Sequence, residues 1–131
     1  MSKLVMIIDD SLTVRKIIET SLKREGFESV SYADGIEALR ALSEKRHPVP
    51  DLVILDIGLP KMDGYEIARR LKTKQQFRDT IIVMLTGKDG VMDRLKGRLA
   101  GAKGYITKPF RTQDVMAVVH SYLGGPAHLL V

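Results

Sequence analysis

The 131-residue sequence contains no cysteine and no tryptophan. Without cysteine the chain cannot form disulfides or thiolate metal sites. Its three histidines, His47, His120 and His128, lie far apart in the sequence. We expect each of them to be a surface residue rather than a metal ligand, so any metal site is expected to use oxygen ligands.

Long apolar runs are also missing. A helix needs about 20 mostly apolar residues to cross a bilayer, whereas the first apolar run, Leu4–Ile8, has five. This run is also too short for the apolar core of a signal peptide. We therefore expect no contact with a membrane and a cytoplasmic location.

The composition is that of a globular protein, with 44% hydrophobic and 28% charged residues. The net charge of +5 is uneven, because residues 61–111 carry +8 and residues 1–60 carry −2. Such a surplus favours either a solvated basic face or a docking surface for an acidic protein. No nucleic-acid recognition motif accompanies it, and direct nucleic-acid binding is not expected.

Five short apolar runs predict five strands. They are Leu4–Ile8, Val30–Ala33, Leu52–Leu55, Ile81–Leu85 and Tyr105–Ile106. The first, third and fourth are almost wholly apolar, which is typical of strands buried on both faces of a parallel sheet. The second lies in the alternating segment 28–32 and is predicted to form an edge strand.

Helical patterns separate the strands. The first has Val14, Ile17, Ile18, Ser21 and Leu22 on one face, and the fourth has Val91, Leu95 and Leu99. Predicted N-caps are Asp34, Asp63 and Thr112, and predicted helix ends lie at Gly26 and Gly124. The five alternations predict an α/β domain with a parallel sheet covered on both faces, at residues 1–124, and a flexible tail at 125–131.

Chemistry-bearing residues follow four of these strands. They are Asp9 and Asp10 after strand 1, Asp56 at the end of strand 3, Thr86 after strand 4 and Lys108 after strand 5. Ligands of such folds bind at the carboxyl ends of the strands, so we expect these residues to meet there. An aspartate at this place is often only a helix cap, and either Asp10 or its neighbour Ser11 could cap the first helix.

Three crowded carboxylates repel one another unless a cation joins them. Oxygen ligands alone favour a hard cation, and Mg²⁺ needs only a few carboxylates and a phosphate oxygen. A carboxylate in such a site can attack phosphorus, while the metal and a lysine neutralise the transferring group.

The sequence resembles the receiver domain of response regulators in two-component signalling. The segments that carry the resemblance are 5–11, 51–56, 59–64, 85–87 and 105–110. They extend over residues 4 to about 123. The resemblance implies a (βα)5 flavodoxin-like fold with strand order 2-1-3-4-5. It also implies a signalling domain that catalyses only its own phosphotransfer and autodephosphorylation.

The resemblance also implies roles for individual residues. The metal ligands would be Asp56, Asp10 directly, Asp9 through a water, and the backbone carbonyl of Gly58, with Mg²⁺ as the ion. Asp56 would accept the phosphoryl group and Lys108 would pair with it.

Three further features of the site follow from the same resemblance. Thr86 would hydrogen-bond the phosphoryl group, Tyr105 would be the aromatic switch residue, and the Lys108–Pro109 peptide bond would be cis. Gly87 is small enough to leave the phosphoryl pocket open, whereas Gly58, where a larger residue is common, would reduce its shielding from water.

The implied partners are a histidine kinase or phosphotransfer protein as donor, and a downstream protein bound through helix 4, strand 5 and helix 5. The domain would be a monomer or weak dimer.

Residues 86–98 are similar to single-domain receivers of type IV pilus twitching motility. The alternatives are a receiver-like interaction module that is never phosphorylated and a receiver fragment of a larger regulator. A haloacid-dehalogenase-type phosphatase is disfavoured, because Gly58 stands where its second acid is needed.

Overall fold

The computed structural model describes residues 2–87 and 90–125. Within these ranges five strands alternate with five helices. The strands are β1 (Leu4–Ile8), β2 (Glu28–Tyr32), β3 (Leu52–Asp56), β4 (Ile81–Thr86) and β5 (Gly104–Thr107). The helices are α1 (Leu12–Arg24), α2 (Gly35–Ser43), α3 (Gly64–Lys72), α4 (Val91–Ala100) and α5 (Thr112–Leu123). Most of the predicted tail, with His128, lies outside the described residues.

The five strands form one parallel sheet in the order β2-β1-β3-β4-β5. This confirms the predicted α/β class and strand order. At the centre of the sheet Ile54 of β3 pairs with Ile7 of β1 on one side and with Val83 of β4 on the other. The alternating segment forms the edge strand β2, as predicted.

Each face of the sheet has its own core. In β1, Met6 and Ile8 pack with α2 and α3, whereas Val5 and Ile7 pack with α1 and α5. Successive strand residues point to opposite faces. Both faces of the central strands are therefore buried, which explains why their sequences are apolar at every position.

Three helices begin at the side-chain caps that their sequences indicate. Ser11 Oγ accepts a hydrogen bond from the Val14 amide at 3.2 Å, so Ser11 and not Asp10 caps α1. Asp34 and Asp63 cap α2 and α3 in the same way. Asp10 is thereby left outside the cap and exposed.

The predicted cap of α5 was wrong by one residue. Arg111 is the N-cap and Thr112 is the first helical residue. The acid at the third helical position, Asp114, accepts a hydrogen bond from the Arg111 amide at 3.2 Å. This contact of the first turn fixes the start of the helix without a cap from Thr112.

Helix α4 is present where it was predicted, but its apolar stripe faces solvent. Val91, Leu95 and Leu99 are 84%, 44% and 77% exposed. The helix packs inward through its small residues instead, since Gly97 and Ala100 are buried. The spacing identified the helix but not the face that it buries.

Two histidines are less exposed than expected. His47 lies 3.1 Å from the Tyr32 hydroxyl, and His120 of α5 contacts Glu25 at the end of α1. Both residues are half-buried.

None of the helices at residues 2–87 and 90–125 is long and apolar enough to cross a membrane.

Candidate functional site

The predicted site residues meet at the carboxyl edge of the sheet. Asp9, Asp10 and Asp56 each offer a carboxylate oxygen, and these oxygens lie within 4.8 Å of one another. Asp9 and Asp56 are buried, whereas Asp10 is exposed. Thr86 is buried at the end of β4, and Lys108 follows β5.

Asp9 lies in the turn between β1 and α1 and is held there by three contacts. Its amide donates to the Tyr32 carbonyl at 3.1 Å, and its Oδ1 accepts from the Ser11 amide at 2.8 Å. Its own carbonyl accepts a hydrogen bond from Arg15 Nη1 at 2.7 Å. The orientation of the two consecutive acids therefore depends on contacts with β2 and α1.

Asp56 ends the central strand and is held by the turn that follows. Its Oδ1 accepts from the Gly58 amide at 3.0 Å, and its Oδ2 lies 3.4 Å from Lys108 Nζ. Gly64 lets the start of α3 approach closely, because a Cβ there would lie 2.6 Å from the Asp56 carbonyl oxygen. This role of Gly64 was not predicted, although its place directly after the Asp63 cap is a signal for it.

Lys108 is the cation that the structure places among the acids. Its Nζ lies 3.2 Å from Asp9 Oδ2 as well as 3.4 Å from Asp56 Oδ2. The Lys108 amide donates to the Thr86 carbonyl at 2.7 Å, and the Lys108–Pro109 peptide bond is cis. Burial lowers the pKa of Lys108, but the charges of Asp9 and Asp56 outweigh it and hold the pKa above its usual value.

Negative charge remains in excess at this site. Burial and the charge of Asp9 raise the pKa of Asp56, although the Gly58 amide and Lys108 act in the opposite direction. Asp9 Oδ2 is buried and accepts no hydrogen bond within the described residues, although Lys108 Nζ lies 3.2 Å away as its ion-pair partner. A further cation would satisfy this oxygen, and the all-oxygen donor set fits a hard metal ion.

A cavity of about 350 Å³ opens beside these groups. Its lining includes Asp56, Gly58, Thr86, Gly87 and Lys108. A Cβ on Gly87 would meet nothing within 4 Å, so the mouth is open there. The space is sufficient for a tetrahedral oxyanion beside Asp56.

Two tyrosines contact the backbone of α4, and one of them, Tyr65, also lines this cavity. The Tyr105 hydroxyl donates to the Asp93 and Arg94 carbonyls at 3.0 and 2.9 Å. Tyr65, which lines the cavity, also donates to the Asp93 carbonyl, at 3.3 Å. A Cβ at Gly97 would lie 1.6 Å from the Tyr105 hydroxyl oxygen, so the glycine provides the space for the ring.

Sequence reasoning predicted a switch role for Tyr105 and missed Tyr65. The signal for Tyr65 is weak, because an aromatic residue in the first turn of an amphipathic helix usually contributes only to packing.

The comparisons with known proteins agree with this geometry. Residues 5–120 match the family described as the response regulator receiver domain. The chain is 35% identical over 119 residues to Protein PilG of Pseudomonas aeruginosa, covering 91% of this chain and 86% of that protein. It spans about half the length of two probable transcriptional regulators that it also matches.

Solved structures share the fold. Chemotaxis protein CheY4 of Vibrio cholerae superposes with a TM-score of 0.86 at 29% identity, covering 94% of this chain and 100% of that one. The receiver domain of the sensor histidine kinase PA1611 of Pseudomonas aeruginosa, described with a magnesium ion coordinated in its active-site cleft, gives 0.80 at 27% identity. That match covers 95% of this chain and 100% of the PA1611 domain.

Proposed function

The chain belongs to the response regulator receiver domain family, and we propose that it is switched by transfer of a phosphoryl group to Asp56. The observation that carries this proposal is the convergence of Asp56 with two further acids and Lys108 at one open cavity. The donor is a phosphohistidine of a histidine kinase or phosphotransfer protein. An Asp56 carboxylate oxygen forms the new P–O bond, the P–N bond breaks, and the histidine ring leaves with the electron pair of that bond.

Lys108 has the main electrostatic role among the protein groups. Its ammonium nitrogen, 3.4 Å from Asp56 Oδ2, can pair with a phosphoryl oxygen once the acyl phosphate has formed. The Thr86 hydroxyl would donate a second hydrogen bond to the phosphoryl group, since Thr86 lines the same cavity. Thr86 ends β4 and Lys108 directly follows β5, so the sheet holds both groups in place before the reaction.

The metal of this proposal is Mg²⁺. Asp10 and Asp56 would bind it directly, Asp9 through a water, and the Gly58 backbone carbonyl would be the third protein ligand. The unsatisfied Asp9 Oδ2 and the raised pKa of Asp56 support a cation at this place. When bound, Mg²⁺ would neutralise the carboxylates and the oxygens of the transferring group.

The output would be a protein contact through α4, β5 and α5. On α4 the exposed residues Val91, Met92, Leu95 and Leu99 lie within an arc of about 100°. Arg94 and Arg98 flank this arc on one side and Lys96 flanks it on the other. We define these seven residues as the α4 surface. It fits an acidic partner segment with an apolar stripe.

Three further expectations belong to this proposal. The sequence also places Lys88 and Lys103 beside this helix; Lys103 is exposed, whereas Lys88 lies outside the described residues. The similarity of residues 86–98 to twitching-motility receivers favours a motility output. We propose a cytoplasmic location, because a kinase donor and its target would both be reached there. We expect the domain to be a monomer or weak dimer.

Intact-mass analysis tests the acceptor. The wild-type protein, incubated with Mg²⁺ and a small acyl phosphate, is expected to gain one phosphoryl group, and Asp56→Asn none. Asp63→Asn is the matched control, since Asp63 lines the same cavity and asparagine caps helices equally well. A full adduct on Asp56→Asn would refute the assignment. A folded wild type that takes no phosphoryl group would favour the interaction module.

Charge reversal tests the output surface. The double change Lys96→Glu and Arg98→Glu is expected to slow association with the partner and to abolish its salt dependence, while phosphorylation of Asp56 continues. Lys23→Glu with Arg24→Glu on α1 is the control of equal charge. Unchanged binding after the α4 reversal would place the docking surface elsewhere.

A further inference from the structure

The contact between Arg15 and the Asp9 backbone carries a second assignment, which rests on the metal site of the proposed function. Arg15 Nη1 donates to the Asp9 carbonyl at 2.7 Å. Arg15 is in the second turn of α1 and is half-buried. Asp9 itself is fully buried, so its carbonyl oxygen needs a donor that is not water.

The bonded carbonyl belongs to the peptide unit between the two acids. A peptide unit is planar, so holding the Asp9 oxygen also fixes the direction in which the chain enters Asp10. The Asp9 amide and the Asp9 Oδ1 are held separately, by Tyr32 and Ser11. These two contacts leave the peptide unit between Asp9 and Asp10 free to rotate, and Arg15 holds that unit.

We propose that Arg15 is a positioning residue for the metal site, which orients the Asp9–Asp10 peptide so that both carboxylates face Asp56. Arg15 acts through the Asp9 backbone carbonyl, and not through the carboxylate oxygens that would hold the metal or through the phosphoryl group. Guanidinium suits this role because it stays charged and donates in a fixed plane, and a hydrogen bond from a charged group is stronger than a neutral one.

The competing explanation is that Arg15 acts only through its charge, and it predicts the opposite change in Mg²⁺ affinity. A fixed positive charge near a cation site repels the incoming cation, so its removal should tighten Mg²⁺ binding. Loss of the positioning contact should weaken Mg²⁺ binding, because the acids are then free to leave the common geometry. The direction of the change therefore separates the two explanations.

Arg15→Met tests the proposal, since it keeps the length of the side chain and removes the donor and the charge. The matched control is Lys16→Met, the same loss of charge at the adjacent exposed position of α1. The dissociation constant for Mg²⁺ is measured by calorimetry, and the unfolding midpoint is measured in urea with chelator. We expect about tenfold weaker Mg²⁺ binding in Arg15→Met and a change below about twofold in Lys16→Met.

Two further variants complete the test. Arg15→Lys retains a donor of similar reach and should bind Mg²⁺ within about threefold of wild type. Arg15→Gln is too short to reach the Asp9 carbonyl and should behave like Arg15→Met, which keeps the test available if the methionine variant does not fold. The phosphorylation rate of both weakened variants should recover at saturating Mg²⁺.

The outcomes separate this inference from the proposed function. Unchanged or tighter Mg²⁺ binding in folded Arg15→Met or Arg15→Gln overturns the positioning role alone. A lower urea midpoint with an unchanged dissociation constant shows a merely structural role and also overturns it. Wild-type protein that binds no Mg²⁺ overturns both this inference and the metal site on which it rests.

Discussion

The contact between His120 and Glu25 makes the stability of the fold depend on pH. His120 Nδ1 lies 2.9 Å from the Gly124 carbonyl, and Nε2 contacts Glu25 Oε1. Both partners are acceptors, whereas a neutral imidazole carries a single N–H. Only the protonated ring satisfies both, and this charged ring connects the C-terminal ends of α5 and α1.

The direction of the pH dependence follows from the pKa of His120. Burial lowers this pKa, but the hydrogen bonds to Glu25 and to the Gly124 carbonyl outweigh burial and raise it above the usual 6.5. A base with a raised pKa in the folded state stabilises that state fully below the unfolded value. This stabilisation is lost as the pH rises from 6.5 through the pKa of the folded protein.

The magnitude is that of one hydrogen bond between charged groups. Such bonds contribute about 1.5–3 kcal/mol. The Glu25 side chain is 33% exposed, so solvent screens the pair and the low end applies. We expect His120→Gln to lower the free energy of unfolding by about 1.5 kcal/mol at pH 5.5, with much of this difference lost at pH 9.

Urea denaturation of wild type, His120→Gln, Glu25→Gln and the double variant between pH 5.5 and pH 9 provides the measurement. Because other titrating groups are common to all four proteins, the coupling free energy of the cycle isolates the pair. It should be near 1 kcal/mol at pH 5.5 and should approach zero at pH 9. A coupling that is constant over this range, or that grows with pH, would refute the argument.

Three further predictions concern the site and the contact of Tyr105 with α4. Asp10→Ala should weaken Mg²⁺ binding more than Asp9→Ala, measured by calorimetry, because a direct ligand outweighs a water-mediated one; equal affinities would contradict the assignment. Mg²⁺ at ten times its dissociation constant should raise the free energy of unfolding of the wild type by about 1.4 kcal/mol. The increase should be clearly smaller for Asp56→Asn at the same Mg²⁺ concentration, and equal increases would exclude Asp56 as a ligand. Gly97→Ala should destabilise the protein by about 1–3 kcal/mol in urea because its Cβ would collide with Tyr105, and Tyr105→Ala should relieve this cost; an unchanged cost in the double variant would refute the collision.

The sheet was predictable because its sequence signals are local and strong. Three apolar segments buried on both faces, each followed by a polar residue, require a parallel arrangement with those residues at one edge. The strand order alone predicts that three site residues meet at this edge, without knowledge of side-chain contacts; they are Asp9, Asp56 and Lys108. The strand order itself came from the family resemblance and is not contained in the periodicity.

The inward face of α4 was not predictable, for a physical reason. An apolar stripe ordinarily faces the core, but burial is decided by which side can approach the sheet most closely. Gly97 and Ala100 allow that approach and leave Leu95 and Leu99 outside. The backbone contact of Arg15 also has no sequence signature, because a guanidinium in a helix is usually solvated.

The small inward face of α4 has a consequence for how such domains diversify. Only Gly97 and Ala100 of this helix are buried, whereas the phosphoacceptor edge is built from strand ends and the turns after them. Substitutions at Val91, Leu95 and Leu99 would therefore leave both folding and the site intact. A duplicated copy of this gene could acquire a new target through a few changes on one helix, and an engineer could redirect the domain in the same way.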